Sequence, residues 1–274
     1  MKNWLHNQTI ILSGASGGIG KELAKLLVRK YNASVIGLAR SEDKLRALQQ
    51  ELGEAFSYRV MDVSLQENWQ RLQADLQEKN IRPILLINNA GIFPPLQKGL
   101  LASSEIVERT LQTNFLSAVY GAEALSPLLV GEGKYKPAIV NVSSSAALCA
   151  VVGSAAYSAS KAALKNYTEA LQLEEKKNKY IGIVYPGTTS TELFRDDDNV
   201  KNSAMEKIAM PAPKMAKKIL RRILKRKKRS VLGMDAKLMY ALARIMPVKG
   251  PALICGVMKI SKSKAFTNVF DYKK

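Results

Sequence analysis

From residue 8 to about 187, short apolar runs alternate with longer stretches in which apolar residues recur every three or four positions. The short runs predict strands over Gln8–Ser13, Ser34–Ala39, Phe56–Val60, Ile84–Asn88, Ala138–Val142 and Ile181–Tyr185. Ile84–Asn88 and Ala138–Val142 are continuous apolar runs, as a strand covered on both faces requires. The longer stretches predict helices over Ile19–Lys30, with Leu23, Leu26 and Leu27 inward, and through Leu65, Trp69, Leu72 and Leu76. Two more are expected over about 104–129 and over Tyr157–Glu174. Ser41 stands where it can cap a further helix whose first turn carries Glu42 and Asp43, matching the N-terminal dipole. Strand–helix alternation of this kind predicts an α/β fold, a doubly wound parallel sheet of Rossmann type in a single domain.

After Gly187 the rhythm breaks. Thr188–Pro213 is polar, contains Asp196, Asp197 and Asp198, and reads as a mobile loop or a small helical flap. A helix is expected after Pro213 to about Lys227, a short strand at Val231–Leu232 and a helix over Lys237–Ile245, followed by a mixed apolar and basic tail. The expected division is a core over residues 1–195 and a flap with a basic, partly apolar helical extension over 196–274.

Charge sharpens that division. The chain of 274 residues carries a net +19, but residues 1–200 hold 22 Lys/Arg against 20 Asp/Glu, and residues 201–274 hold 20 against 3. Other counts exclude whole chemistries. The single histidine, His6, excludes a Ser-His-Asp hydrolase and a multi-histidine metal site. Cys149 and Cys255 cannot build a zinc cluster, so no metal is expected. No run approaches the ~18 uninterrupted apolar residues of a membrane-spanning helix, and the N-terminus has no apolar signal run. A cytoplasmic protein is expected.

Three constellations carry chemistry. Ser13-Gly14-Ala15-Ser16-Gly17-Gly18-Ile19-Gly20 joins the first strand to the first helix, where glycines let helix N-terminal amides approach a pyrophosphate. The second strand ends in Leu38-Ala39-Arg40-Ser41 with no acid to hold ribose hydroxyls, and Arg40 suits a 2′-phosphate, which favours NADP(H) over NAD(H). In Tyr157-Ser158-Ala159-Ser160-Lys161, the i, i+4 spacing sets Lys161 beside Tyr157, where an ammonium favours the phenolate of a side chain that otherwise titrates near ~10. Ser144, at the end of the fifth strand, is placed to hold a carbonyl oxygen.

These residues carry a resemblance to the short-chain dehydrogenase/reductase family over about residues 5–195. The matching positions are Ser13–Gly20 for the family's TGxxxGIG loop (Ser in place of Thr), Asp62-Val63, Asn88-Asn89-Ala90-Gly91, Asn114, Ser144, Tyr157, Lys161, and Pro186-Gly187 with Thr191. The resemblance implies an NAD(P)-dependent oxidoreductase acting between a carbonyl and a secondary alcohol. Tyr157 would be the general acid/base and Ser144 the orienting hydroxyl. Lys161 would tune Tyr157 and hold the nicotinamide ribose, and Asn114 would hold a relay water. For the cofactor it implies Gly14, Ser16, Gly17, Gly18, Ile19 and Gly20 at the pyrophosphate and Asp62 and Val63 at the adenine. Asn89, Ala90 and Gly91 would line the cofactor, and Pro186, Gly187, Thr189 and Thr191 would close over the nicotinamide. Members that prefer NADP(H) often carry a base in the glycine loop, where this chain has Gly17, so that expectation rests on Arg40 and Ser41. Members also often form homo-oligomers through the helices holding Asn114 and Tyr157.

The basic quarter leaves several readings open. Lys214–Ser230 (KMAKKILRRILKRKKRS) has ten basic residues in seventeen, with Met215, Ile219, Leu220, Ile223 and Leu224 on one helical face. It reads as a helix packed on the core with a solvated charged surface, or as an interfacial surface for anionic lipid. Leu238, Met239, Leu242, Ile245 and Met246, and then Ala252–Met258, add apolar residues among lysines. Family members that reduce lipid-like substrates at membranes often carry such extensions, which points to a hydrophobic substrate. Phe93, Leu148 and Phe194 are candidates for its pocket. An acidic partner such as acyl carrier protein is the alternative, with 3-oxoacyl-type reduction, as is a non-catalytic cofactor-sensing scaffold. Nucleic acid is disfavoured, since the segment has little aromatic interleaving.

Overall fold

The computed structural model describes residues 3–191, 208–261 and 264–270. Seven parallel strands form one sheet: β1 (Thr9–Ser13), β2 (Ser34–Ala39), β3 (Phe56–Val60), β4 (Leu85–Asn88), β5 (Ala138–Val142), β6 (Tyr180–Pro186) and, beyond a small two-stranded pairing, β9 (Arg229–Leu232). Their order is β3-β2-β1-β4-β5-β6-β9. Ile11 pairs in register with Ile36 on one side and Leu86 on the other. The order reverses between β1 and β4, and in such sheets a crevice opens there at the carboxyl ends of the strands.

Both faces of the sheet are covered, which explains the continuous apolar strands. On one face Ile10, Leu12, Val35, Leu85 and Val140 pack under α1 (Gly18–Tyr31) and α7 (Ala212–Leu224). On the other Ile11, Leu86, Ile139 and Ile181 meet Trp69, Leu72 and Leu76 of α3 (Gln66–Glu78) and the small residues of α5 (Ser117–Leu125). The neighbours α2 (Glu42–Leu52), α4 (Ser104–Leu111) and α6 (Ala155–Glu174) complete the layers. β7 (Thr189–Ser190) and β8 (Met210–Pro211) make the small pairing, and α8 (Met234–Ile245) and α9 (Lys249–Ile260) follow β9.

Several expectations need correcting. The helix expected over about 104–129 is α4, a π turn over Gln112–Leu116, α5 and a short 3-10 turn. Ser41 sits at the N-cap of α2, but its side chain makes no capping hydrogen bond, and Glu42 and Asp43 answer the dipole alone. α7 begins before Pro213, because a first-turn proline loses no intrahelical hydrogen bond. The same allowance accommodates Pro251 in α9, a helix that its Gly250, Pro251 and Gly256 concealed. The flap expected over 188–213 lies largely outside the described residues, as do Asp196, Asp197 and Asp198.

α7 resolves one ambiguity of the basic quarter. Met215, Ala216, Ile219, Leu220 and Ile223 are buried in the core shared with α1, so the apolar face is already covered and the basic face points outward. Two cations nearby are structural. Arg226 lies between the rings of Trp4 and Tyr180, 4.8 Å from each centroid. Arg229 stacks over Tyr185 and Tyr240 and pairs with Glu169 at 3.6 Å.

Candidate active site

The glycine loop is tied to the end of β4 by side chains that flank it. Ser13 Oγ accepts the main-chain N–H groups of Asn89 and Ala90 at 3.0 and 3.1 Å, so serine meets the need at the family's threonine position. Asn89 Nδ2 donates back to the carbonyls of Ser13 and Gly14. Gly14 has φ +68°, and a Cβ there would lie 2.9 Å from Ala90 Cα, so the residue needs both the left-handed backbone and the missing side chain. α1 starts with Gly17 at its N-cap, without a side-chain capping bond or an acid in its first turn. Its leading amides and its positive dipole end therefore face the crevice.

The second group comes from the end of β5 and from α6. Ser144 follows β5 and starts a 3-10 turn, its hydroxyl accepting the Ala146 N–H and reaching the Tyr157 phenol. Ser143 Oγ donates to the carbonyl of Lys161, which ties α6 to the strand end. Lys161 Nζ donates to the Val142 carbonyl at 3.2 Å and lies 5.9 Å from the centre of the Tyr157 ring. The spacing reading of a neighbouring pair on one helix face therefore matches the structure. Burial pushes the Tyr157 phenol up from its ordinary value, with the Ser144 hydrogen bond pulling the other way. Burial also pulls the Lys161 ammonium down to about 8. Phe93 meets Tyr157 edge-on with ring centres 4.7 Å apart.

Asn114 lies on the π turn, buried. Its Oδ1 accepts the Ile92 N–H at 2.7 Å, and its Nδ2 donates to the Ile92 carbonyl and to Ser160 Oγ. The carboxamide is thus committed to protein groups and holds the chain after Gly91 in place. A Cβ on Gly91 would come within 3.1 Å of Asn114 Oδ1 and 3.3 Å of Lys161 Nζ.

A cleft of about 540 Å³ joins these parts. Gly14, Ser16, Gly17, Gly18, Ile19 and Arg40 line one end, and Ser144, Tyr157 and Lys161 line the other. Asn89, Ala90 and Gly91 lie between them, and Pro186, Gly187, Thr189 and Thr191 also line the cleft. Thr191 leans over the loop, since a Cβ on Gly18 would lie 3.0 Å from its Cγ2. Gly20, Ser41, Asp62 and Val63 are not part of the cleft wall. Gly20 packs against the Gly14 carbonyl, and Asp62 sits 3.9 Å from Arg40. Burial raises the Asp62 carboxyl, but hydrogen bonds from the Ser64 side chain and amide, with Arg40 and Arg109 nearby, leave it below its ordinary value. Of the apolar pocket candidates, Phe93 lines the cleft, Leu148 does not, and Phe194 lies outside the described residues.

Three residues at the site carry no signal that the motifs expose. Asp235, in the first turn of α8, accepts the Thr188 N–H at 2.6 Å and lies against Gly187 and Gly233. Met239 and Met258 bring α8 and α9 to the cleft wall. Met258 also packs on an apolar cluster of Leu96, Ala265, Phe266 and Val269, so the C-terminal segment closes against the site.

The residues fit a nicotinamide dinucleotide. Glycines whose Cβ atoms would obstruct the floor, open helix amides at one end and a buried Tyr–Lys pair at the other match pyrophosphate and nicotinamide in turn. The same architecture recurs in solved structures. A short chain dehydrogenase from Burkholderia cenocepacia in complex with NADP superposes with a TM-score of 0.77 at 23% identity, covering 91% of this chain and 98% of that one. Among curated proteins, a benzil reductase ((S)-benzoin forming) of Saccharomyces cerevisiae is 31% identical over 196 residues, 69% of this chain and 74% of the relative. An NADPH-dependent pterin aldehyde reductase of Arabidopsis thaliana is 30% identical over 189 residues, 68% and 77% respectively. A 3-ketodihydrosphingosine reductase of Dictyostelium discoideum is 30% identical over 216 residues, 72% and 64%. The family model for short chain dehydrogenases matches residues 8–202, and with the seven-stranded parallel sheet this places the chain in the short-chain dehydrogenase/reductase family of NAD(P)-dependent oxidoreductases.

Proposed function

We propose that this protein reduces the carbonyl of a hydrophobic compound with NADPH, Tyr157 supplying the proton. The observation that carries the reading is the convergence of the Ser144 hydroxyl on the Tyr157 phenol, with Lys161 buried behind it, at one end of a cleft whose other end is a glycine-lined helix N-terminus. A nicotinamide held here would supply hydride chemistry at the carbonyl carbon. Gly14 to Ile19 would hold its pyrophosphate, Arg40 its 2′-phosphate and Lys161 its ribose.

The chain's own residues do the rest. Ser144 and Tyr157 donate to the carbonyl oxygen, orient it and oppose its growing negative charge. Tyr157 then gives up its proton to that oxygen. A buried phenol resists ionisation, and the Ser144 hydrogen bond works against that resistance. A Lys161 ammonium 5.9 Å from the ring centre also favours the phenolate on general electrostatic grounds. The carboxamide of Asn114 is occupied by Ile92 and Ser160, so its side chain fixes the segment after Gly91 rather than holding a relay water. Phe93 against Tyr157, with Leu96, Met239 and Met258, gives the substrate end an apolar lining that favours a hydrophobic compound. Support for NADPH comes from Arg40 at the cleft and from the NADPH dependence of the Arabidopsis relative.

The test is consumption of NADPH and of NADH against a panel of ketones and aldehydes, with wild type and Tyr157→Phe. Wild type turns over apolar carbonyls with NADPH, and Tyr157→Phe binds NADPH with unchanged affinity and loses at least a hundredfold in kcat. Turnover retained in Tyr157→Phe sinks the assignment.

A further inference from the structure

α8 and α9 form a tight helical hairpin. Gly250 is buried where a Cβ would run into the Leu242 main chain, and its N–H bonds to the Met246 carbonyl at 2.7 Å. The outer side of this hairpin is apolar. Met234, Leu238 and Ile245 follow one another at helical spacing along α8, and each is more than half exposed. Val248 at the turn and Leu253, Val257 and Ile260 along α9 are exposed to the same degree. Isolated exposed aliphatic residues are ordinary, but two stripes on one hairpin mark a contact surface.

The surrounding charge says what that surface meets. Lys237, Arg244, Lys249 and Lys259 are the cations of the two helices. Asp235 is their only acid, and it is turned into the Thr188 amide. The basic face of α7 adds to the same sign. A second copy of the chain would set these cations against themselves. An anionic bilayer answers both features at once, since phosphate headgroups pair with Lys and Arg while the aliphatic side chains enter the acyl boundary. Among the described residues no helix is long and apolar enough to cross a membrane, so the hairpin would lie on the surface.

The inner side of the same hairpin bears on the cleft, where Met239 and Met258 line the wall that also holds Phe93 and Tyr157. We propose that the α8–α9 hairpin docks this protein on anionic lipid surfaces and seats the substrate end of the cleft against them, so that an apolar carbonyl compound enters from the lipid past Met239 and Met258. The entry step rests on the carbonyl-reductase reading above, whereas the docking step does not.

The experiment is sedimentation of the full-length protein with vesicles of phosphatidylcholine alone and of phosphatidylcholine mixed with phosphatidylserine, at low and high salt. Wild type binds the anionic vesicles at least tenfold more tightly than the neutral ones, and salt weakens the binding. The triple variant Leu238→Ser, Ile245→Ser, Val257→Ser, altered only at exposed positions, loses at least tenfold in that binding while keeping wild-type turnover of a water-soluble carbonyl. Absence of wild-type binding overturns the proposal. So does binding that the serine variant retains, because charge alone would then hold the protein through another surface. Turnover retained in Tyr157→Phe, with vesicle binding intact, would instead refute the catalytic reading and leave the docking standing.

Discussion

The Asp235 carboxylate accepts the main-chain N–H of Thr188 at 2.6 Å and lies directly against the Cα of Gly187. One acid of α8 thereby fixes the turn that leaves β6 and runs along the cleft. The glycine at 187 is required by this close approach and not by its backbone angles, because a Cβ there would fall on the carboxylate. Gly187→Ala is therefore expected to cost about 1–3 kcal/mol in chemical denaturation. In an Asp235→Ala background the same substitution costs much less, since the obstructing carboxylate is gone. Additive costs would show that the contact is not the reason. Asp235→Ala should also weaken NADPH binding roughly tenfold by releasing the turn, and Asp235→Asn, which keeps an acceptor, should not.

The parts of the site visible in the sequence are those whose geometry is local. Tyr157 and Lys161 share a helix face by spacing alone, and the glycine loop declares itself by lying between a strand and a helix. Asp235 is hidden because its partner is 47 residues away and an acid in a helical first turn is ordinary. α7 illustrates a different limit. Its amphipathic pattern shows which side is apolar, but whether α1 or a lipid surface covers that side depends on β9 joining the sheet and carrying the helix back onto the core. In α7 the apolar side is covered by the core, whereas α8 and α9 leave Leu238, Ile245 and Val257 exposed. The apolar cluster around Phe266 was illegible because its partners, Leu96 and Met258, come from separate loops and helices.

Arg40 is exposed at the cleft end and shares a loose ion pair with Asp62. An exposed pair at that distance contributes little to stability, so the residue is available to a ligand. If it holds the 2′-phosphate, Arg40→Ala removes a charge-assisted hydrogen bond worth about 1.5–3 kcal/mol, roughly 10- to 100-fold in affinity. Titration of NADPH and NADH by nucleotide fluorescence should show this loss for NADPH and little change for NADH. Equal losses for both would place Arg40 away from the 2′ position.

The N-terminal Trp4 closes the opposite end of the core. Its ring stacks on Arg226, its Nε1 donates to the Leu224 carbonyl at 3.2 Å, and Arg226 Nη2 reaches the Lys136 carbonyl at 2.9 Å. Removing this buried indole by Trp4→Ala is expected to cost about 3–5 kcal/mol. Arg226→Lys keeps the charge but not the planar stack between Trp4 and Tyr180, and should cost about 1 kcal/mol in the same denaturation assay. A Lys variant as stable as wild type would show that charge alone suffices there.

Lys161 gives the pH prediction. Burial lowers its ammonium from the ordinary 10.5 to about 8 in the folded, ligand-free protein. Below pH 8 both folded and unfolded chains carry the charge, and the full cost of burying it stands. Between about 8 and 10.5 the unfolded chain still binds the proton that the folded chain has released, so this group's contribution to stability rises with pH. Lys161→Met removes the charge at every pH. At pH 7 the ligand-free variant should therefore be more stable than wild type, by on the order of 3 kcal/mol at most, and the gap should shrink steadily as pH approaches 10. Parallel denaturation series on the two proteins cancel the groups they share, and a gap independent of pH would mean that the buried ammonium does not titrate in this range. In wild type, loss of the same charge above about pH 8 removes the support for the Tyr157 phenolate, so kcat/KM for carbonyl reduction should fall there with the loss of one proton.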